Sequence, residues 1–168
     1  MLSRAADNLY WMARYIERAE NMARILDVSW RMSLLPTHEG EAGPWQPALI
    51  IAGADKPFAE TGKPVDAANV IRFLALDADN PSSIRSCLRA ARENAHAMRA
   101  QITTEMWEAM NATWLEAMEL DYAKLEASGF RPFFDWVKDR SHLFRGVTYG
   151  TLLRDEAFNF IRVGTFLE

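Results

Sequence analysis

The sequence is poor in the residues that usually announce chemistry. Cys87 is its single cysteine, which excludes an intramolecular disulfide, and no Cys-x-x-Cys or Cys/His cluster is available for structural zinc. Its three histidines, His38, His96 and His142, are far apart, and none falls in a His-x-x-x-His or Glu-x-x-His pattern, so no metal site is expected. A phosphate-binding glycine loop, a Gly-x-Ser-x-Gly elbow and a dinucleotide fingerprint are all missing, and no cofactor is implied. No window approaches the roughly 18 apolar residues of a membrane span. The opening Met1-Leu2-Ser3-Arg4-Ala5-Ala6-Asp7 is not a basic stretch followed by an apolar run, as a signal peptide would be. The expectation is a soluble, unexported, cytoplasmic protein with no membrane partner. Positive charge is in deficit, with 19 Lys and Arg against 23 Asp and Glu, which argues against a nucleic-acid partner held by its phosphates.

Glycine and proline are also few, eight and seven, and most of them crowd between Pro36 and Pro64. That window, 36–64, reads as a Pro/Gly-rich connection. Elsewhere the pattern is helical, and no period-2 alternation bounded by turn residues points to a sheet. With 49% hydrophobic and 25% charged residues, the chain has the composition of a globular protein, and its length favours a single helical domain over 1–168. The expected fold is all-α, an antiparallel helical bundle with long first and fourth helices and little or no sheet.

The first helix is expected from about Arg4 to Leu34, a stretch free of Pro and Gly. Trp45 to Ala52 reads as a short helix, and Asp66 to Leu76 as another, with Val70, Ile71, Phe73 and Leu74 on its apolar face. In Asp79-Asn80-Pro81-Ser82-Ser83-Ile84, Asn80 suits the N-cap and Pro81 the first helical position. That fourth helix is expected to run to about Ala127, with a weak point at Thr103-Thr104, and Gly129 ends it. Pro132 opens the next helix, and Gly146 separates it from a last one starting near Thr148.

Winding the first helix at about 100° per residue puts Met12, Tyr15, Ile16, Ala19, Met22, Ala23, Leu26 and Trp30 on one face. Beside it runs a charged line, Glu17, Glu20, Arg24, Asp27 and Arg31, whose successive members are three or four apart. If solvated, such pairs add only about 0.3 to 0.5 kcal/mol each; a functional role needs them desolvated against a groove or a neighbouring helix. The last helix carries an echo of the first. With Glu168 set against Glu17, Asn159 aligns with Asn8, Gly164 with Ala13 and Leu167 with Ile16.

Asn8-Leu9-Tyr10-Trp11 followed by Arg14-Tyr15-Ile16-Glu17-Arg18-Ala19-Glu20-Asn21 resembles the signature of the alpha-E family, bacterial all-helical proteins named for a Glu-Arg motif. Asp79-Asn80-Pro81-Ser82-Ser83-Ile84 and Ala91-Arg92-Glu93-Asn94 are similar to that family's middle section. The resemblance covers nearly the whole chain, and implies that it is the N-terminal part of a longer alpha-E domain that continues through a second Glu-Arg segment. It also implies linkage to ATP-grasp ligase-like and transglutaminase-like proteins, and hence to peptide synthesis or modification. The candidate site it marks is Arg14, Glu17, Arg18, Glu20, Asn21, Arg24 and Asp27.

A second constellation is the line Arg85, Arg89, Arg92, His96 and Arg99, a candidate anion-binding stripe because guanidinium forks match carboxylate and phosphate oxygens. The alternative is that these arginines cross the first helix and pair with Glu17, Glu20 and Asp27. Cys87 falls near a core face and reads as an inert buried thiol. Three functional readings remain open at this level. One is an accessory module that binds an ATP-grasp-like protein partner. Another is an enzyme using Glu17 or Glu20 as general base, with the arginines holding an anion. The third is a structural dimerisation domain, since an exposed apolar patch and homo-oligomerisation are expected.

Overall fold

Thirty-one residues without Pro or Gly, Ser3–Ser33, form helix α1, about 46 Å long. The computed structural model describes residues 3–36 and 43–168, and among the described residues there are helices and turns but no strand. His38 and Gly40 lie outside them. The rest of the Pro/Gly-rich window is more than a connection. It holds α2 (Trp45–Ile51), as the sequence suggests, and α3 (Asp55–Glu60), which it does not. Trp45, Leu49 and Phe58 from these turns enter the core.

Helix α4 (Ala67–Ile71) begins at Asp66, whose carboxylate accepts from Asn69 N at 2.8 Å, and runs directly into a π-helical turn, Arg72–Leu76. Asn80 was expected to cap the next helix. Its amide instead bridges the turn: Nδ2 reaches back to donate to the Phe73 carbonyl at 3.0 Å, and Oδ1 accepts from Ser82 N, ahead of it and before the helix, at 3.0 Å. The cap passes to Ser83, whose Oγ accepts from Ser86 N and donates to the Asp77 carbonyl.

The long fourth helix is three helices, α5 (Ile84–Ala97), α6 (Thr104–Met118) and α7 (Tyr122–Ser128). The break begins at Met98 and spans 98–103; the restart falls at the expected Thr103-Thr104, where Thr103 takes an extended ψ of 161° and its hydroxyl caps Met106 N. A Thr hydroxyl that satisfies an orphan N–H favours a new start over continuation. Asp121 repeats the device for α7. Gly129, at φ +77°, ends α7 as expected. Helix α8 (Phe130–Thr151) then runs unbroken through Gly146. A single glycine costs only about 1 kcal/mol in a helix, and the actual stop is Leu152, in extended backbone. Helix α9 (Glu156–Leu167) starts later than anticipated, behind the Asp155 cap.

The long helices alternate in direction. Lys138, Ser141 and Arg145 of α8 meet Asp27, Glu20 and Glu17 of α1 in reverse order, whereas Gly164 and Glu168 of α9 meet Ala13 and Arg18 in the same order. Helix α1 serves two apolar clusters. One joins its Leu26 to Leu49, Phe58, Leu74 and Phe134; the other joins Leu9, Met12 and Ile16 to Ala91, Met106, Phe144 and Ile161.

The echoed segments of α1 and α9 pack on each other. A Cβ at Gly164 would stand 3.0 Å from Ala13 Cβ and inside the contact radius of the Tyr10 carbonyl oxygen. Glycine is required there because the two backbones approach so closely.

Candidate functional site

The acids of α1 sit on the buried side of the helix: Glu17, Glu20 and Asp27 retain only 9%, 3% and 4% of their exposure. Their partners from other helices are on α8, not on α5, so the expected pairing of the α1 acids with Arg85, Arg89 and Arg92 does not occur. Helix α8 presents Lys138, Ser141 and Arg145, spaced three and four apart, and so lays its polar line along the acids in reverse. That spacing is legible in the sequence, and it is the signal by which these partners could have been found.

Glu20 is the centre of the network. Its Oε2 accepts from Ser141 Oγ at 2.6 Å and from Arg145 Nη2. Its Oε1 accepts from Arg24 Nε at 3.1 Å and Nη2 at 2.5 Å, and His142 Nε2 stands 3.3 Å away. Burial alone would raise the pKa of Glu20, but the hydrogen bonds from Ser141 and Arg24 and the charge of Arg145 outweigh it and hold the carboxyl below its ordinary range.

Glu17 is the opposite case. Desolvation raises its pKa, the nearby Glu20 charge adds to the rise, and Arg145, with Nε at 3.5 Å, offsets only part of it. Asp27 accepts from Arg31 at 2.8 Å and from Lys138 at 3.1 Å through Oδ2, while its buried Oδ1 has no hydrogen-bond partner among the described residues.

The arginines of the Glu-Arg motif turn the other way, to α9. Glu168 accepts from Arg14 Nε at 2.7 Å and from Arg18 Nε at 2.6 Å, and these bonds hold its carboxyl below the usual range despite burial. Arg14 also donates to the Tyr10 hydroxyl at 2.7 Å. The motif is thus split, with its glutamates tying α1 to α8 and its arginines tying α1 to α9. Exposed Asn21 joins Arg18, Ser82 and Glu168 around a polar cavity of about 540 Å3. Through the shared Ile25 and Ile51 this cavity adjoins an apolar groove of about 520 Å3, walled by Val28, Met32, Leu35 and Pro47. Neither takes a wall from Glu17 or Glu20.

The candidate anion stripe is scattered in its engagements. Arg85 donates to the Leu120 carbonyl, and its Nε is buried with no partner among the described residues. Arg89 is exposed. Arg92, His96 and Arg99 gather around Trp107 of α6. Cys87 is buried, and desolvation pushes its thiol up to about 12, as befits an inert core residue. No group of three or more His, Cys, Asp or Glu suited to a metal occurs among the described residues, and no helix among them is long and apolar enough to cross a membrane.

Among curated proteins, uncharacterised proteins of Mycobacterium bovis and Mycobacterium tuberculosis are 28% identical to this chain over 117 residues, which is 62% of this chain and 13% of theirs. The chain therefore matches only a small part of the length of these relatives. No solved structure matches. The Alpha-E family, described as a predicted alpha-helical domain with a conserved ER motif, matches residues 1–168. With its Glu17-Arg18 pair at the junction of three helices, the chain belongs to the Alpha-E family.

Proposed function

We propose that the chain is an accessory, partner-binding helical module. The observation that carries this reading is the apolar groove between α1 and α2. Val28, Met32, Leu35 and Ile51 keep 51%, 52%, 63% and 72% of their exposure along it. Contiguous exposed apolar side chains of this kind mark interaction surfaces. The fate of the motif charges supports the same reading, since Glu17, Glu20, Arg14 and Arg18 are engaged within the fold. The occupant is an apolar segment of a protein of the ATP-grasp ligase-like or transglutaminase-like class implied by the family's associations, in a system that makes or modifies peptides. The mycobacterial relatives, in which the matched segment occupies 13% of the chain, are consistent with a module that works attached to other domains.

The enzymatic alternative has one observation in its favour, the raised pKa of Glu17. Its weakness is geometric, because neither cavity beside the motif reaches that carboxylate. Calorimetric titration of the chain with such a ligase-like protein tests the proposal. Wild-type chain binds, and the exposed pair Val28→Glu, Met32→Glu weakens binding at least about thirtyfold, as expected for two core interface positions. Unchanged affinity in that variant, or loss only on Glu17→Gln, would move the site to the charged ladder. Self-association is the competing occupant of the groove, and sedimentation of the chain alone over a concentration series separates it.

A further inference from the structure

The cations of this protein are treated unequally. Arg131, Lys138, Arg140 and Arg145 of α8 each have a carboxylate within 4.0 Å, as do Arg14, Arg18, Arg24 and Arg31 of α1. Arg92 and His96 of α5 and Arg99 just beyond its end have none among the described residues, as is also true of Arg72, Arg89 and Arg162, in a chain where acids outnumber bases. Yet the side chains of Arg92, His96 and Arg99 converge. The guanidinium carbons of Arg92 and Arg99 lie 5.4 and 5.9 Å from the centre of the Trp107 ring, and the His96 ring lies 5.6 Å from it.

One indole attracts a cation by about 0.5 to 1 kcal/mol at an exposed site, which does not account for two guanidiniums and an imidazole gathered on the same ring. Their remaining engagements are with neutral groups. Arg92 Nε donates to Asn111 Oδ1 at 3.1 Å and Arg99 Nη2 reaches Thr104 Oγ1 at 3.5 Å. Most of each guanidinium fork is left free. Glu93, Glu105 and Glu108 are nearby in sequence and exposed, but none pairs with these arginines.

We infer that Arg92, His96, Arg99 and Trp107 form a binding site for the phosphoryl group of a small molecule. A phosphoryl group supplies several oxygens and up to two negative charges at one point, which suits two guanidiniums and an imidazole gathered around one ring better than a single carboxylate does. The site is separate from the apolar groove and stands or falls independently of it.

The test is NMR of the full chain at constant ionic strength, following the indole N–H signals of its six tryptophans, with Trp107→Phe identifying the relevant one. Inorganic phosphate, pyrophosphate and phenyl phosphate are titrated in turn. The expected result is a saturable shift of the Trp107 signal. Preference for pyrophosphate points to a diphosphate ligand, and preference for phenyl phosphate to an organic monoester. Arg92→Gln and the exposed Arg99→Gln each weaken binding about tenfold, the worth of one charge-assisted hydrogen bond. Arg162→Gln, on α9, leaves it unchanged. No shift of Trp107, or an equal loss in the Arg162 variant, overturns the inference. A glutamate-rich peptide that binds at Trp107 and is not displaced by pyrophosphate also overturns it, in favour of an acidic protein partner.

Discussion

Replacing Glu20 with Gln should destabilise the protein, whereas the same change at Glu17, one turn away, should not. Both carboxylates are buried and both face Arg145. Glu20 also holds Ser141 and Arg24; a glutamine amide keeps only one of the two acceptor oxygens, so part of this donor set loses its partner and both guanidiniums lose their counter-charge. Breaking a fully buried ion pair costs roughly 3–5 kcal/mol. Here the side chains of Arg24 and Arg145 keep 55% and 33% of their exposure, so water offsets part of the loss and the expected cost is about 2–3 kcal/mol. For a chain of this size that lowers Tm by about 4–12 °C.

The raised pKa of Glu17 means that the folded state holds its charged form less well than water does. Glu17→Gln removes that penalty and should leave stability at neutral pH unchanged or higher. The pH dependence has opposite signs at the two positions. Glu20, with a lowered pKa, contributes stability above the ordinary carboxylate range, and this is lost as pH falls through its depressed value. The penalty at Glu17 is present at neutral pH and relieved as pH falls through its raised value. Urea unfolding of both variants between neutral and acid pH checks this, and a Glu17→Gln variant less stable than Glu20→Gln would refute the reasoning.

Gly164→Val should destabilise by about 1–3 kcal/mol, because its Cβ meets Ala13 and the Tyr10 carbonyl; thermal unfolding reads it. A double-mutant cycle between Glu20 and Arg145 should show coupling above about 1 kcal/mol, and one between Glu17 and Arg92 should show none. Ser83→Ala should cost about 1 kcal/mol, more than Glu108→Ala on the exposed side of α6, and thermal unfolding reads both. Cys87 should resist iodoacetamide at pH 8 in the folded protein and react once urea exposes it, since its thiol is held near 12.

Helix α1 was legible because thirty-one residues pass without Pro or Gly and one face is continuously apolar. The ends of the later helices were not, since the decisive events are side-chain choices that local pattern does not rank. Asn80 could cap forward or reach back, and Phe73 O decided it; Thr103 could sit inside a helix or start one, and Met106 N decided that. Gly146 broke nothing because a helical glycine on an open surface carries only its backbone entropy. The charged ladder is legible as a line, because Glu17, Glu20, Arg24, Asp27 and Arg31 follow one another at three or four residues. What spacing could not reveal was the partner, because α5 and α8 both offer cations at helical intervals and only packing selects α8.

Glu20 pairs with residues 121 and 125 positions further along the chain. On a ribosome adding about 5–20 residues per second, α1 therefore waits roughly 6–25 s for its counter-charges. In that interval Glu20 and Asp27 have the arginines one turn on in the same helix, Arg24 and Arg31. The apolar face of α1 meets α5 first, since Ala91 and Leu88 share its clusters and are made long before α8. The cross-helix ion pairs to α8 therefore close on a helix whose apolar contacts are already under way.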